Sequence, residues 1–457
     1  MSDTSSQHRI LVVGAGYVGL TTAACFAHLG HDVICADIDR AKVASLSAGV
    51  VPIREAELDR LVAEGIAERR LRFVISAETV AATCDFAFIC VPTPLRDDGE
   101  TELSYLLAAL DSVGSRLQPG SVVVTKSTVP VGTAPKIAAA LGRTDVALAS
   151  NPEFLREGSA VHDFLAPDRI VIGADDTSVA RRVAALYAGV EAPVILSDPT
   201  SAETVKYAAN AFLAAKVSFV NALAAVCEAV GADVDTVLAG VGTDHRIGSA
   251  YLQPGPGWGG SCLPKDTRAL VSVSHDAGYV FDLLEGVITV NEQQLERVAD
   301  KVARMAADGP GGRSDPGADE VDQRSCDLDG VTVAVLGLTF KAGTDDLRGS
   351  PALRVAERLS ARGARLVACD PALADLDNRP DIAAQLPAAL TVSGSTYDAL
   401  AGADVAVVLT EWPEFADLDW ERAASVMAAA RIVDARNLLD PTKLRAAGFV
   451  YEGLGRR

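Results

Sequence analysis

The sequence has little positive charge, and it lacks the features of a secreted or membrane-spanning chain. Its 457 residues include 41 Lys and Arg against 61 Asp and Glu, a formal net charge of -20, which argues against nucleic acid or an anionic membrane as the main partner. No apolar run reaches the roughly 18 residues of a membrane span. The start, MSDTSSQHRI, lacks the basic-then-apolar pattern of a secretory leader. We therefore expect a soluble, cytoplasmic protein.

The eight cysteines lack the paired spacing of a disulfide framework or a metal site. Five of them lie in apolar runs that resemble buried strands or helices: Cys25, Cys35, Cys84, Cys90 and Cys369. We expect reduced structural thiols there, and no metal. With 49% hydrophobic and 22% charged residues, the composition is that of a globular protein, and the length allows two or three domains.

The N-terminal segment follows the order strand, glycine turn, helix, strand. The apolar run from Ile10 to Val13 leads into a turn that contains Gly14, Gly16 and Gly19, and the second apolar run ends at Asp37. This order suits a dinucleotide, because glycines let the pyrophosphate reach the helix N-terminus and the acid binds the ribose hydroxyls. We predict a dinucleotide-binding domain that prefers NAD to NADP, because Asp37 would repel a 2′-phosphate.

Polar residues follow several further apolar runs in this half of the chain. These residues are Thr93, Lys126, Thr128, Asn151 and Glu153. Ligands of open parallel sheets bind beyond the carboxyl ends of the strands, so we expect these residues to lie at that edge.

A long Ala-rich helix is predicted from Thr200 to its end at Gly231. Its apolar positions cover more than one stripe, which favours burial between domains or in a subunit interface, and we predict at least a homodimer. Lys206 and Asn210 are four residues apart and share one face. A lone lysine on such a helix commonly extends to water, which is the alternative for Lys206.

The segment GPGWGGSCLPKDTRAL places Cys262 behind two glycines and ahead of a predicted helix with Ser261 as its N-cap. A helix N-terminus stabilises a thiolate, and glycines leave the approach to the sulfur bare, so Cys262 could be reactive. A buried cysteine that acts as a small apolar residue is the alternative. The segment alone leaves both interpretations open.

Residues 308–328 are rich in Gly, Asp and Pro and are expected to form a surface linker or insertion that is at least partly flexible. After them, strand and helix patterns resume from about residue 330. The predicted fold class is α/β, with two doubly wound Rossmann-like domains joined by a long central helix and a helical dimerisation region.

Seven long motifs occur in one order along nearly the whole chain: GAGYVGL, VPTP, KSTVPVGT, NPEFLREGSAVHDFLAPDRIVIG, KYAANAFLA, RIGSAYLQPGPGWGGSCLPKD and LTFKAGTDDLRGSP. Through them the chain resembles the UDP-glucose/GDP-mannose dehydrogenase family of nucleotide-sugar 6-dehydrogenases. We accordingly expect an NAD-binding domain at 1–199, a central helical and dimerisation domain at 200–306, a linker or insertion at 307–329, and a nucleotide-sugar-binding domain at 330–457.

The resemblance implies oxidation of a sugar C6 alcohol to a carboxylate with two NAD+ and one water. Cys262 would then add to the C6 aldehyde as a thiohemiacetal, which is oxidised to a thioester and hydrolysed. Lys206 and Asn210 match the pair that stabilises charge on the C6 oxygen. For the hydrolytic base, Asp266 and Glu153 both remain candidates.

The resemblance also assigns binding residues. Thr128 is expected to hold water or the nicotinamide end. The implied cofactor contacts are Gly14, Gly16, Tyr17, Val18, Gly19, Asp37, Lys42, Thr93, Thr128, Glu157, Lys265 and Arg348. The implied substrate contacts are Glu153, Phe154, Leu155, Glu157, Lys206, Asn210, Arg246, Tyr251, Trp258, Gly259, Phe340 and Lys341. Arg246 is expected to reach across a dimer interface, and Trp258 stands where the family usually has Tyr or Phe.

The sequence leaves several alternative functions open. A two-electron β-hydroxyacid dehydrogenase would explain the glycine turn, Lys206 and Asn210, but it leaves Cys262 and the last domain without a role. A non-catalytic nucleotide-sugar sensor on the same scaffold is a second alternative. Within the family the motifs favour UDP-glucose as substrate over TDP-glucose, GDP-mannose or a UDP-N-acetylhexosamine.

Overall fold

A computed structural model describes residues 7–94, 96, 101–307, 327–376 and 379–456. The chain divides into two compact units: residues 1–209 with 268–279, and residues 210–267 with 280–457. Most of the linker or insertion predicted at 307–329 lies at 308–326, outside the described residues.

The first unit is built on a sheet with the strand order β3-β2-β1-β4-β5-β6-β7-β8. Neighbouring strands are parallel except for β6 and β7, which pair antiparallel. The strands are β1 (Arg9–Val13), β2 (Asp32–Ala36), β3 (Leu71–Val74), β4 (Phe86–Ile89), β5 (Val122–Thr125), β6 (Ala147–Ser150), β7 (Ile170–Gly173) and β8 (Val194–Ser197). This is the first predicted doubly wound domain.

Helices cover both faces of this sheet, and the strand sequences reflect it. Ile10 and Val12 of β1 belong to one apolar core, and Leu11 and Val13 belong to the core on the opposite face. Strands buried on both sides are apolar without alternation, as the sequence predicts. The helices are α1 (Tyr17–His28), α2 (Arg40–Ser47), α3 (Leu58–Ala67), α4 (Ser104–Gly114), α5 (Ala134–Leu141), α6 (Ala160–Leu165) and α7 (Thr177–Ala185).

Four helices follow in the middle of the chain: α8 (Pro199–Val230), α9 (Val234–Gly242), α10 (Leu263–Asp276) and α11 (Asp282–Ala307). The predicted long helix is confirmed as α8, and it ends at Val230, just before Gly231, whose φ of 71° favours glycine. Among the described helices, α8 alone has the length and apolar composition to cross a membrane. Core helices of soluble proteins meet the same criterion.

The second unit contains a parallel sheet with the order β11-β10-β9-β12-β13-β14. Its strands are β9 (Thr332–Leu336), β10 (Arg365–Cys369), β11 (Leu390–Val392), β12 (Val405–Val408), β13 (Arg431–Asp434) and β14 (Val450–Gly453). Its helices are α12 (Pro351–Ala361), α13 (Pro380–Ala383), α14 (Thr396–Leu400), α15 (Pro413–Ala416), α16 (Trp420–Val426) and α17 (Pro441–Ala446). The second predicted doubly wound domain is thereby confirmed.

The two sheets share one turn geometry after their first strand. Gly14 follows β1 with φ = 100°, and its N–H donates to Ala36 O at 2.7 Å. Gly337 follows β9 with φ = 93°, and its N–H donates to Cys369 O at 2.8 Å. Each unit therefore begins with the same strand–glycine–strand arrangement.

An aspartate follows the second strand in both units, but its environment differs. Asp370 is 1% exposed, and its Oδ2 accepts from the N–H groups of Leu338 and Thr339 and from the indole of Trp412. In the second unit, hydrogen-bond donors of the protein thus enclose the carboxylate of Asp370. In the first unit, 11% of the Asp37 side chain remains exposed.

Candidate active site

The glycine turn of the first unit has the shape that a dinucleotide requires. A Cβ at Gly14 would lie 2.6 Å from Cys90 O, and one at Gly19 would lie 1.8 Å from Gly14 O, so the turn closes tightly. A Cβ at Gly16 would meet no heavy atom within 4 Å, and Gly16 gives α1 no side-chain cap. The first N–H groups of α1, from Tyr17 and Val18, are therefore open to a pyrophosphate, and the residues fit NAD.

Asp37 is held as a carboxylate beside this turn. Its Oδ2 accepts from Ala15 N–H at 2.8 Å and from Lys42 Nζ at 3.2 Å, and its Oδ1 accepts from Asp39 N–H at 2.9 Å. Burial would raise the pKa of Asp37, but these N–H groups and the Lys42 ammonium outweigh burial and lower it. An ionised Asp37 suits ribose hydroxyls and disfavours a 2′-phosphate.

The predicted rim residues lie at the carboxyl ends of β4, β5 and β6. Thr93 Oγ1 donates to Thr128 O at 2.8 Å, which joins the ends of two strands. Lys126 Nζ donates to Asn151 Oδ1 and to Tyr187 Oη, each at 3.1 Å. Burial lowers the pKa of Lys126 to about 8. Lys126 and Asn151 therefore belong to a buried polar network, while Thr128 is half-buried at the rim.

Lys206 forms a buried ion pair with Glu153. Their charged atoms are 2.9 Å apart, with side chains 4% and 6% exposed, and the Lys206 ammonium lies 5.4 Å from the centre of the Phe154 ring. Leu155 N–H donates to the other Glu153 oxygen at 2.6 Å. The alternative in which Lys206 extends to water is therefore wrong.

The electrostatic balance of Glu153 follows from this pairing. Burial raises the pKa of Glu153, but Lys206, the Leu155 N–H and Lys126 together outweigh burial and lower the pKa below its ordinary value. Glu153 is thus a carboxylate that holds a lysine in place. Glu157 follows in the same loop and is half-buried.

In the second unit, Asn210 lies one helical turn after Lys206 on α8 and contacts Asp266. Asn210 Nδ2 donates to Asp266 Oδ2 at 2.6 Å, and Lys265 pairs with the other oxygen of Asp266. Asp266 is fully buried. A buried carboxylate bound on both oxygens is fixed in orientation, which suits a group that orients a neighbouring amide.

Cys262 differs from the other described cysteines in its accessibility. It is half-buried, whereas the other six are buried, and burial raises the pKa of Cys90, for example, to about 12. The carbonyl of Cys262 accepts a hydrogen bond from Asp266 N–H at 2.9 Å. Helix α10 begins at Leu263, whereas an N-cap at Ser261 predicts that it begins at Cys262. The Cys262 Sγ lies 3.6 Å from Ser261 Oγ.

Two of the glycines before Cys262 pack closely against protein atoms. A Cβ at Gly259 would lie 2.0 Å from Gly349 O, and one at Gly260, where φ = 85°, would lie 2.9 Å from the Phe340 ring. The 338–349 segment therefore fills the space that these glycines leave. These contacts explain why the two positions require glycine, and the approach of a substrate to the Cys262 sulfur stays a prediction.

Buried amides that the sequence analysis missed hold the segment before Cys262. Asn221 Oδ1 accepts from Gly255 N–H and Asn291 Oδ1 accepts from Trp258 N–H, each at 2.8 Å. Gln294 Nε2 donates to Gly255 O at 2.8 Å. The available signal was an amide within the apolar positions of α8 and α11.

Arg436 is a further residue that the sequence analysis missed. Its Nη2 donates to Phe340 O at 3.2 Å, and its Nε donates to Leu409 O at 2.8 Å. The Lys341 ammonium lies 5.6 Å from the centre of the Phe340 ring. Two cations thus flank Phe340, and the available signal was an arginine two residues beyond the end of β13.

Two predicted arginines pair with carboxylates close to them in sequence. Arg246 binds Asp244, and Arg348 binds Asp346 at 2.7 Å, with both guanidinium groups mostly exposed. Tyr251 is exposed and has a φ of 61°. The role of Arg246 across a dimer interface stays a prediction.

Within the described ranges, no group of three or more His, Cys, Asp or Glu side chains is arranged to hold a metal ion. The expectation of a metal-independent site stays a prediction.

The strand order, the open glycine turn and the ionised Asp37 together define an NAD-dependent dehydrogenase of the Rossmann class. More narrowly, the chain belongs to the UDP-glucose/GDP-mannose dehydrogenase family of NAD-dependent nucleotide-sugar dehydrogenases. The family's NAD-binding domain matches residues 8–191, its central domain residues 200–293, and its UDP-binding domain residues 334–441.

Individual relatives agree with this membership. The chain is 43% identical to a UDP-glucose 6-dehydrogenase of Rhizobium meliloti, covering 98% of this chain and 99% of that protein. It is 40% identical to one of Bacillus subtilis, covering 98% and 93%. A UDP-glucose dehydrogenase structure from Pyrobaculum islandicum matches with a TM-score of 0.86 and 36% identity, covering 100% of both chains.

Proposed function

We propose that the protein oxidises the C6 alcohol of UDP-glucose to the carboxylate of UDP-glucuronate, in two two-electron steps with NAD+. The observation that carries this proposal is the half-buried Cys262, one helical turn before the buried Asp266 that holds Asn210. A two-electron dehydrogenase has no use for such a thiol.

One molecule of NAD+ would supply the hydride acceptor for each oxidation, so that two are consumed per sugar nucleotide. In the first, the C6 hydroxyl loses its proton and C6 loses a hydride, which leaves an aldehyde. Lys206 and Asn210 stabilise the negative charge that develops on the C6 oxygen. The Glu153 carboxylate keeps the Lys206 ammonium oriented, and Asp266 does the same for the Asn210 amide.

The second oxidation needs a covalent adduct. The Cys262 thiolate adds to the aldehyde carbon and the oxygen takes up a proton, which gives a thiohemiacetal. Loss of that proton and of a hydride leaves a thioester, and water then displaces the thiolate to form the carboxylate. Asp266 and Glu153 both remain candidates for the base that activates this water, and Thr128 is assigned to hold water or the nicotinamide end.

The remaining predicted residues are proposed as binding contacts. The first unit's glycine turn, with Asp37, Lys42, Thr93 and Glu157, is assigned to the cofactor, as are Lys265 and Arg348. The substrate is assigned to the 153–157 loop, to Arg246, Tyr251, Trp258 and Gly259, and to Phe340 and Lys341, to which we add Arg436. Arginine and lysine supply the local positive field that a diphosphate requires in an acidic protein.

UDP-glucose is proposed ahead of other nucleotide sugars. Relatives at 40–43% identity are named UDP-glucose 6-dehydrogenases. A UDP-N-acetylmannosamine dehydrogenase structure from Pyrococcus horikoshii is 29% identical. The net charge of -20 supports an enzyme that has neither nucleic acid nor an anionic membrane as its partner, and we propose that it is cytoplasmic.

A panel of UDP, TDP and GDP sugars tests the activity. We expect two NADH per molecule of UDP-glucose and a product that carries a carboxylate. Cys262→Ala should lose turnover by several orders of magnitude, because the nucleophile is gone. Cys369→Ala, which removes a buried thiol elsewhere, is the control and should keep its turnover.

Supplying the C6 aldehyde sharpens this experiment, because the aldehyde bypasses the first oxidation. Cys262→Ala should form no NADH from it beyond a trace. Wild-type rates of NADH formation would make Cys262 a packing residue and would overturn the proposed mechanism.

A further inference from the structure

A buried glutamate outside the assigned motifs joins two parts of the first unit. Glu55 lies in the loop before α3 and is 7% exposed. One carboxylate oxygen accepts from Ala160 N–H at 2.8 Å, and the other accepts from Gly158 N–H at 2.7 Å. Glu55 therefore fixes the end of the 153–160 loop, although more than 100 residues separate them in sequence.

Tyr17 connects the same carboxylate to the glycine turn. Tyr17 is the first residue of α1, and its hydroxyl donates to Glu55 and accepts from Gly158 N–H at 3.0 Å. Burial, Glu55 and the nearby Glu157 raise the pKa of Tyr17, so its hydroxyl keeps the proton that it donates. Tyr17 thereby links the open end of α1 to the loop.

The two joined parts are the places where the two ligands of the proposed function bind. The backbone N–H of Tyr17 lies at the helix end that receives the pyrophosphate. The 153–160 loop carries Glu153, whose carboxylate holds Lys206. A cofactor that fixes Tyr17 also restricts the 153–160 loop. The loop then loses less conformational entropy when the sugar nucleotide binds.

We propose that Glu55 is a positioning residue that couples cofactor binding to substrate binding, with Tyr17 as its contact to the glycine turn. This inference rests on the proposed function. Because coupling between two ligands is reciprocal, each ligand raises the affinity for the other by the same factor, commonly about 5- to 150-fold.

Calorimetry with NADH and UDP-glucose measures this factor without turnover, because NADH cannot accept a hydride. We expect wild-type protein to bind UDP-glucose at least about fivefold more tightly when saturated with NADH. Tyr17→Phe removes one oxygen and leaves Glu55 on the loop, and it should bring the ratio close to one. Glu55→Gln should do the same and should also weaken UDP-glucose binding alone.

Glu57→Gln is the matched control, since Glu57 is an exposed glutamate two residues away that pairs with Arg60. It should keep the wild-type ratio. A fold-stabilising role alone would lower the melting temperature of the Tyr17 and Glu55 variants but leave the ratio intact, and that result would overturn the inference.

Wild-type data separate the two proposals. If wild-type protein binds both ligands with no change in affinity between them, the coupling role of Glu55 is wrong and the proposed function stands. If it binds neither ligand, the proposed function itself is wrong, and the inference falls with it.

Discussion

At the scale of single residues, the buried pair of Lys206 and Glu153 connects the proposed chemistry with the stability of the first unit. The ammonium is oriented by one carboxylate oxygen, while the other oxygen is bound to a backbone N–H. A cation fixed in a dry site stabilises developing negative charge without reorganising. The same burial makes the pair costly to break.

Lys206→Ala should therefore affect rate and stability together. Both oxidations should slow, because both pass through charge on the C6 oxygen. The variant should lose about 3–5 kcal/mol of unfolding free energy, because Glu153 is left charged and buried without its partner. Urea unfolding followed by circular dichroism measures the loss.

A second variant separates the two effects. Lys206→Met with Glu153→Leu removes both charges and should recover most of the stability while the enzyme stays inactive. Recovery of activity in this double variant would contradict the role of Lys206 in catalysis.

At the scale of elements, Glu203 ties the loop that carries Thr128 to helix α8. Glu203 accepts from Gly132 N–H at 2.7 Å, just before α5 begins. Burial raises the pKa of Glu203 to about 6, although the backbone N–H groups of Gly132, Thr133 and Ala134 oppose the shift. The folded protein thus binds this proton more tightly than the unfolded chain does.

The sign of the pH dependence follows from this raised pKa. The contribution of Glu203 to stability is fully present below its ordinary pKa of 4.5 and is lost as the pH rises through about 6. Glu203→Gln lacks this titration, so its melting temperature should rise relative to wild type across that window. Glu191→Gln, at an exposed glutamate, should follow wild type at every pH. A Glu203→Gln curve parallel to wild type would exclude the assignment.

The elements themselves could be predicted from sequence more completely than the contacts between them. Apolar runs separated by glycine identified β1, α1, β2 and α8, because these patterns depend on neighbours in sequence. Glu55, Asn291 and Arg436 were missed because their partners lie far away along the chain. The role proposed for Cys262 comes from the family motif, since the segment alone left two interpretations open.

At the scale of the whole molecule, an apolar row on α8 favours a dimer. Phe212, Phe219 and Val226 recur every seven residues and are 68%, 60% and 53% exposed. Spacing of seven returns to nearly the same face of a helix, which gives one continuous stripe. Such a stripe on a soluble protein marks an association surface, and we propose that a second copy covers it.

One added charge in this row tests the dimer. Phe219→Glu should shift the protein toward monomer in light scattering at low micromolar concentration, because a carboxylate would be buried against apolar side chains. Val50→Glu, at another exposed apolar position, should leave the dimer intact. A fully active wild-type monomer would contradict both the dimer and a role for Arg246 across it.

The burial of Asp370 has a consequence for competition between ligands. Both units have the same first turn, but the aspartate after the second strand is only 1% exposed in the unit that matches the family's UDP-binding domain. Trp412 and two backbone N–H groups already occupy that carboxylate. We therefore expect NAD+ in excess not to compete with the sugar nucleotide at this aspartate of the second unit.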